Sequence, residues 1–177
     1  TLHLFPCRPG SKLPATEHGF LDATCDPRQI DRWWTAMPGA NIAIATGPSG
    51  LVVIDLDSPE AIAAWRRDWE PLLAGQPRII ALTPHGEHHY FANTTRVVIK
   101  SGVAVLGPGI DCRASTGYVV VPPSVVDGLP YRWRTGPRLN GRQAFPALPP
   151  QLLTALTCGR SKRKRRRQSP LPAEPRA

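Results

Sequence analysis

The 177 residues, of which 41% are hydrophobic, are enough for one domain with a real core. No run of about 18 apolar residues occurs, which excludes a membrane-spanning helix. The four scattered cysteines contain no CxxC pair, which argues against a structural zinc site and for reduced thiols in the cytoplasm. The net charge of +9 is concentrated after residue 157, where eight Lys and Arg and one Glu give +7.

The first half of the chain predicts alternating strands and helices. Asp26 and Pro27 suit the N-cap and first turn of a helix, and apolar residues follow them at helical spacing. The segment GPSG separates two apolar runs and predicts a hairpin-like turn between two strands. The predicted elements are a strand at 4–7, a loop carrying Lys12, a helix at 26–40, strands at 40–47 and 51–57, and a helix at 58–75. The inner face of this second helix is predicted to carry Ala61, Ala64 or Trp65, Trp69 and Leu72.

The second half predicts strands almost throughout. They are expected at 78–84, 87–93, 96–102, 109–113, 117–124 and 131–133, before a short helix at 149–156. Early alternation followed by strands indicates an α+β fold with a mostly antiparallel sheet. The basic run at 161–168 cannot bury apolar surface and predicts a disordered tail, which either attracts a phosphate backbone or acts as a solubilising linker.

Two aspartates at the end of an apolar strand are the first candidate site. In LVVIDLD, side chains alternate, so Asp55 and Asp57 share a face about 6–7 Å apart and repel each other. One interpretation is a strand end at which Asp57 and Ser58 cap the next helix, but it leaves Asp55 unexplained. The other is a divalent cation site, because hard ions such as Mg²⁺ bind carboxylates and phosphates.

Two further segments carry residue types that often take part in catalysis or ligand binding. In TPHGEHHYF, strand alternation places His88 with Tyr90 and His89 on the opposite face. A histidine beside a core tyrosine is also a common structural arrangement. In GPGIDCRASTGYVVVPPS, Asp111 follows a Gly-rich turn and shares its face with Arg113; taken alone, Asp111 is equally well explained as a turn residue.

Six motifs in this order resemble the N-terminal polymerase domain of bifunctional DNA primase/polymerases. This family, Prim-Pol, belongs to the archaeo-eukaryotic primase superfamily and is common on plasmids and phages. The resemblance covers roughly residues 4–156. The motifs are PGSKLP, ATCDPRQIDRWW, NIAIATGPSGLVVIDLD, TPHGEHHYF, GPGIDCRASTGYVVVPPS and YRW.

The resemblance implies a fold and a set of roles. The fold is an α/β module joined to an RRM-like, mostly antiparallel sheet, with the active site in the cleft between them. The family's catalytic carboxylates fall on Asp55, Asp57 and Asp111, which are expected to hold two Mg²⁺ or Mn²⁺ ions for nucleotidyl transfer. The family's histidine falls on His88, expected to contact the triphosphate. Weaker candidates for phosphate contacts are Lys12 and Arg113.

The expected protein is a template-directed DNA primase and polymerase of a mobile element. Residues 1–156 are expected to form the catalytic domain and residues 157–177 the tail, and the helix that precedes the first strand in the family is expected to be missing. Glu87 stands where the family more often has a small or apolar residue beside the histidine. The adjacent His89 leaves the histidine ambiguous by one position, although strand alternation favours His88. The expected partners are single-stranded DNA, nucleoside triphosphates and a separate helicase. The alternatives are a non-catalytic nucleic-acid-binding remnant and a metal-dependent nuclease.

Overall fold

Eleven strands and three α-helices make up the fold in the computed structural model, which describes residues 1–95, 97–136 and 145–167. The helices are α1 (Pro27–Ala36), α2 (Pro59–Asp68) and α3 (Pro150–Arg167), with 3₁₀ turns at Gly19–Asp22 and Glu70–Leu73. The strands are β1 (Leu4–Cys7), β2 (Asn41–Ala45), β3 (Leu51–Leu56), β4 (Ile80–Leu82), β5 (Glu87–Ala92), β6 (Gly102–Gly107), β7 (Ile110–Arg113), β8 (Tyr118–Val121), β9 (Val125–Val126), β10 (Leu129–Pro130) and β11 (Arg132–Thr135).

The strands form two main sheets and a small hairpin. One sheet has three strands in the order β1-β2-β8, and the other has six in the order β11-β4-β5-β3-β7-β6. Every pair of neighbouring strands in these sheets is antiparallel. This confirms the predicted mixture of helices with mostly antiparallel sheets. Strand β3 lies between β5 and β7, so its residues have neighbours on both sides.

The predicted hairpin between β2 and β3 is wrong. Strand β2 pairs with β1 and β8, whereas β3 pairs with β5 and β7 in the larger sheet. The turn at 47–50 therefore carries the chain from one sheet to the other. Both strands are largely buried, and each pairs along both backbone edges with strands from elsewhere in the chain.

Alternation along β3 divides the core into two layers. The side chains of Val52, Ile54 and Leu56 pack with Trp65 of α2 and Leu152 of α3 on one face of the large sheet. On the other face, the core joins this sheet to the small one through the residues Ile44, Leu51, Val53, Tyr90, Val119 and Val121. Odd-numbered residues of β3 thus point toward the small sheet, which is the side on which Asp55 lies.

The two N-terminal caps explain where α1 and α2 begin. The Asp26 side chain accepts a hydrogen bond from the Arg28 amide at 3.0 Å, as predicted for α1. The Ser58 hydroxyl accepts one from the Ala61 amide at 3.1 Å. Because Ser58 caps α2, Asp57 is not needed for this purpose.

Helix α2 is shorter than predicted, and this corrects its inner face. It ends at Asp68 and a 3₁₀ turn follows at Glu70–Leu73. Pro71 lacks an amide proton and cannot continue the α-helical hydrogen bonds. The change of winding buries Leu73 and leaves the predicted Leu72 44% exposed.

The strand predicted at 96–102 is also wrong, and its place is taken by β6. Residue 96 lies outside the described residues; in the rest of the segment only Ile99 is buried, while Val97 and Val98 are exposed. The Ile99 carbonyl accepts a hydrogen bond from the Ser115 amide at 2.9 Å. Because burial does not alternate along this segment, it lacks the pattern that forms a strand.

Helix α3 continues beyond the predicted end at Leu156. Its backbone is helical through Arg167, where a disordered tail was predicted from residue 157. Lys and Arg have favourable helix propensity, and cations near a helix C-terminus are favoured by the helix dipole. Residues 168–177 lie outside the described residues, and the division into a catalytic domain and a tail stays a prediction. None of the described helices has both the length and the apolar character needed to cross a membrane.

Candidate active site

Three of the predicted site residues form a row across the large sheet. Asp55 on β3 is the register partner of His88 on β5 and of Asp111 on β7. Direct partners on adjacent strands point to the same face with Cβ atoms about 5 Å apart. The exposed fractions are 9% for Asp55, 5% for His88 and 3% for Asp111. Antiparallel pairing therefore brings together three polar residues that are distant in sequence.

The His88 ring is held by hydrogen bonds at both nitrogens. Its Nε2 lies 3.2 Å from Asp55 Oδ1, and its Nδ1 lies 3.3 Å from the Tyr90 hydroxyl. Burial raises the pKa of Tyr90 well above its usual value, so its hydroxyl stays protonated and can donate to Nδ1. With Nδ1 as the acceptor, the ring proton is on Nε2, which donates to the Asp55 carboxylate. These two contacts fix the orientation of the imidazole.

Asp55 remains ionised despite its burial. Burial alone would raise the pKa of Asp55, but the hydrogen bond from His88, together with the positive charges of Arg113 and Lys12, lowers it overall. The sheet face thus holds a buried carboxylate that depends on nearby cations.

Asp111 is held by a backbone amide as well as by an ion pair. Its Oδ1 accepts a hydrogen bond from the Ala104 amide at 2.8 Å, and its Oδ2 lies 3.1 Å from Arg113 Nη2. Ala104 has a φ of 51°, and the register of β6 with β7 is irregular between Gly102 and Gly107. This conformation costs a non-glycine residue about 1–2 kcal/mol. The strain aims an amide at the carboxylate, and no side-chain pattern could have predicted it.

Arg113 connects the two buried carboxylates. Its Nη2 atom lies 3.1 Å from Asp111 Oδ2 and 3.5 Å from Asp55 Oδ2. The Arg113 side chain is 34% exposed, so the guanidinium reaches from solvent into the row. It supplies the positive charge that two adjacent carboxylates need.

Asp57 lies just beyond β3 and is exposed. Its amide donates to the Gly109 carbonyl at 3.0 Å, which ties the end of β3 to the turn before β7. Although Asp57 is exposed, partial desolvation of its carboxyl group raises the pKa of Asp57, and repulsion from Asp55 and Asp111 raises it further. The three carboxylates are therefore close enough to interact, and Asp57 has no capping role.

The donor chemistry of these carboxylates fits a hard divalent cation. Crowded carboxylates, one of them with a raised pKa, are stabilised by Mg²⁺ or Mn²⁺. Within the described ranges, however, no group of three His, Cys, Asp or Glu side chains is arranged to hold a metal ion as it stands. The Arg113 guanidinium lies between two of the candidate ligands, so metal binding would require rearrangement of side chains here.

Asp55 faces a cavity of about 280 Å³ that we call the Asp55 cavity. Its lining comes from both sheets and from the loop after β1. The residues are Lys12, Phe20, Asp55, His88, Arg113, Gly117, Tyr118, Val119, Val120 and Tyr131. The loop is tied down because the Lys12 carbonyl accepts hydrogen bonds from the Tyr118 hydroxyl at 3.0 Å and the Cys7 thiol at 3.2 Å. The cavity thus combines two cations with Asp55 and His88.

His89 and Glu87 lie on the opposite face of β5. The Glu87 carboxylate contacts His89 at 3.0 Å, Arg134 at 2.8 Å and Arg66 of α2 at 3.3 Å. The His89 ring packs on Trp65 with centroids 5.1 Å apart. This group, the Glu87 cluster, is buried against α2, so of the two histidines only His88 is next to Asp55.

Gly86, which the sequence analysis overlooked, sets the approach of β5 to the end of β3. A Cβ atom on Gly86 would lie 1.7 Å from the Leu56 carbonyl oxygen. Only glycine permits this contact, which aligns His88 with Asp55 two residues later. The Gly between the histidines of TPHGEHHYF was the available sequence signal.

Comparison with known proteins identifies the family. A search of curated proteins gave no match. The family model described as bifunctional DNA primase/polymerase, N-terminal, matches residues 1–152, which include every predicted site residue. The chain therefore belongs to the bifunctional DNA primase/polymerase N-terminal family.

Proposed function

We propose that this protein is a DNA primase and polymerase that transfers nucleotides to a 3′-hydroxyl on a single-stranded DNA template. The observation that carries the proposal is the row of Asp55, His88 and Asp111, formed by the register of β3 with β5 and β7. Membership of the family supports a nucleotidyltransferase-type activity. Asp55 and His88 of this row line the Asp55 cavity together with Lys12 and Arg113, so a nucleotide in the cavity has access to one carboxylate, one imidazole and two cations.

The proposed metal ligands are Asp55, Asp57 and Asp111. Two Mg²⁺ or Mn²⁺ ions, when bound, supply activation of the 3′-hydroxyl and neutralisation of the triphosphate charge. The protein's own contribution is to hold the carboxylates together. Asp111 is oriented by the Ala104 amide and Asp55 by His88.

The triphosphate is proposed to lie along the cations of the Asp55 cavity. Arg113 offers a planar guanidinium suited to bidentate phosphate contacts, and Lys12 offers a point charge. His88 Nε2, which donates to Asp55 here, can donate instead to a phosphate oxygen that enters the cavity. The six-stranded sheet, with α2 and α3 on one face, would then be the RRM-like part, and the cavity between the sheets the active-site cleft.

The test is incorporation by the purified protein. Single-stranded DNA, with and without an annealed primer, is incubated with ribo- or deoxynucleoside triphosphates and either Mn²⁺ or Mg²⁺, and products are sized on a gel. We expect extended or newly made strands with the wild type and none with Asp111→Asn. Asp31→Asn, which changes an exposed carboxylate on α1, is the matched control and should retain incorporation.

The alternatives give different products. DNA binding without incorporation under any metal condition would support a non-catalytic nucleic-acid-binding protein and contradict the proposal. Metal-dependent shortening of the DNA, lost in Asp111→Asn, would support a nuclease that uses the same carboxylates.

A further inference from the structure

The oxygens of the two buried carboxylates are divided between donors held by the sheet and one partly exposed cation. Asp55 Oδ1 contacts His88 and Asp111 Oδ1 contacts the Ala104 amide, both of which are held by the sheet. The two Oδ2 atoms both contact a single nitrogen, Nη2 of Arg113. That nitrogen therefore lies between two of the residues that would hold a divalent cation.

We propose that Arg113 is an internal competitor of the divalent cation, which leaves the carboxylates when a nucleotide triphosphate enters the Asp55 cavity. This inference rests on the proposed function and extends it. Arg113 then has two alternative partners, the Oδ2 pair before the nucleotide binds and the phosphates afterwards. In its first position it neutralises Asp55 and Asp111, and in its second it vacates both oxygens.

The exchange follows from charge and geometry. A guanidinium nitrogen and a divalent ion cannot occupy the same position between two oxygens, so a metal ion alone must displace Arg113. Arg113 lines the same cavity as Lys12 and is one-third exposed, so its side chain can turn toward a triphosphate without leaving the cavity. Phosphate is a strong bidentate partner for arginine, which compensates for the lost carboxylates.

Metal and nucleotide binding are therefore coupled through Arg113. A nucleotide that attracts the guanidinium exposes the Oδ2 pair, and a metal ion at that pair releases the guanidinium toward the nucleotide. Each ligand raises the affinity for the other, as linkage requires. Premature metal binding is suppressed because the carboxylates already have a counter-ion.

A purely structural ion pair predicts the opposite result for removal of Arg113. If the guanidinium only held the two carboxylates in place, its loss would loosen the site and weaken metal binding. If it competes with the metal, its loss strengthens metal binding and weakens nucleotide binding. The two roles thus differ in the sign of the effect on metal affinity.

The experiment measures both ligands separately. Mn²⁺ binding to the nucleotide-free protein is followed by electron paramagnetic resonance of the free ion, and binding of methylanthraniloyl-labelled dATP in EDTA by fluorescence. For Arg113→Met we expect the Mn²⁺ Kd to fall about tenfold, which corresponds to about 1.4 kcal/mol, and the nucleotide Kd to rise. Lys12→Met removes a charge from the same cavity without vacating the Oδ2 pair, so its Mn²⁺ Kd should fall less.

Circular dichroism checks that each variant is folded. If Arg113→Met does not fold, the same affinity measurements are made on a second neutral variant, Arg113→Gln. Unchanged or weaker Mn²⁺ binding by a folded Arg113 variant overturns the inference, as does an equal effect of Lys12→Met. Failure of both variants to fold also overturns it, because the guanidinium could then not leave the carboxylates. If the wild type incorporates nucleotides but the Arg113 variants do not show opposite changes in Mn²⁺ and nucleotide affinity, only the competition is rejected. If the variants show these opposite changes but the wild type does not incorporate nucleotides, the polymerase function is rejected and the competition stands.

Discussion

Replacing each of the two adjacent histidines on β5 by alanine should impair a different property of the protein. His88 faces Asp55 and the Asp55 cavity, whereas His89 faces Trp65 and Glu87 in the core under α2. We expect His88→Ala to reduce catalysis and His89→Ala to reduce stability. Because the substitution is the same and the sites are one residue apart, each variant is the control for the other.

The effect of His88→Ala is worked out from the lost hydrogen bonds. In the proposed complex the ring donates to a phosphate oxygen, and a hydrogen bond to a charged group contributes about 1.5–3 kcal/mol. Its loss lowers kcat/KM roughly 10- to 150-fold. The free energy of unfolding should fall by only about 1–2 kcal/mol, because Asp55 keeps Arg113 and the Tyr90 hydroxyl gains access to cavity water.

The effect of His89→Ala is worked out from packing and charge. The buried ring contacts Trp65 and donates to Glu87, so truncation leaves both a cavity and a carboxylate oxygen without its nearest buried donor. The partly exposed Arg66 and Arg134 remain and limit the damage. We expect a loss of about 3–4 kcal/mol, or roughly 6–16 °C in Tm for a chain of this size.

The assay combines urea unfolding with steady-state incorporation at a temperature where both variants are folded. The expected pattern is a large loss of kcat/KM with modest destabilisation for His88→Ala, and the reverse for His89→Ala. Equal losses of kcat/KM in the two folded variants, or a larger loss for His89→Ala, would refute the assignment of faces on β5.

Three other results are expected. Asp57→Asn should abolish incorporation yet preserve or raise stability at pH 7, measured by urea unfolding, because a raised pKa means that the ionised Asp57 opposes folding above that pKa; clear destabilisation would contradict this. The hydrogen bond from His89, with Arg134 and Arg66, lowers the pKa of Glu87 against the opposing effect of burial. The contribution of ionised Glu87 to the free energy of unfolding should therefore be present above about pH 4.5 and lost as the pH falls through the pKa that Glu87 has in the folded protein. Glu87→Gln should remove this pH-dependent loss of stability, measured by unfolding in acid. Deleting residues 159–177 should weaken single-stranded DNA binding but spare incorporation at saturating template. The slope of log K for DNA binding against log salt concentration should fall by roughly 2–4, since each neutralised phosphate contributes about 0.7. An unchanged slope would indicate that the segment is only a linker.

The sequence by itself determined the local elements and the identity of the polar residues. The cap and first turn of α1, the apolar run of β3 and the positions of β5, β7 and β8 depend on side-chain patterns within a few residues. Alternation also placed Asp111 with Arg113 and separated His88 from His89. These predictions hold because strand periodicity is a local property of the backbone.

Only the tertiary structure decided which strands are neighbours. The sequence suggested that β2 and β3 pair across GPSG, but their backbone edges pair with strands from distant parts of the chain. The same long-range pairing puts Asp55 between His88 and Asp111, a relation that no spacing in the sequence contains. It also brings the Ala104 amide to Asp111 through a backbone conformation that its side chain does not signal.

The contacts of Arg113 with two carboxylates, and those of the Glu87 cluster, were also decided by the tertiary structure and not by the sequence alone. Sequence placed Arg113 on the face of Asp111, but its contact with Asp55 requires β3 and β7 to be adjacent in this register. Sequence did not indicate a partner for Glu87, which contacts Arg66 on α2 and Arg134 on β11 as well as the neighbouring His89. Charges buried in a fold need counter-charges, and packing of elements far apart in the chain decides which residues supply them.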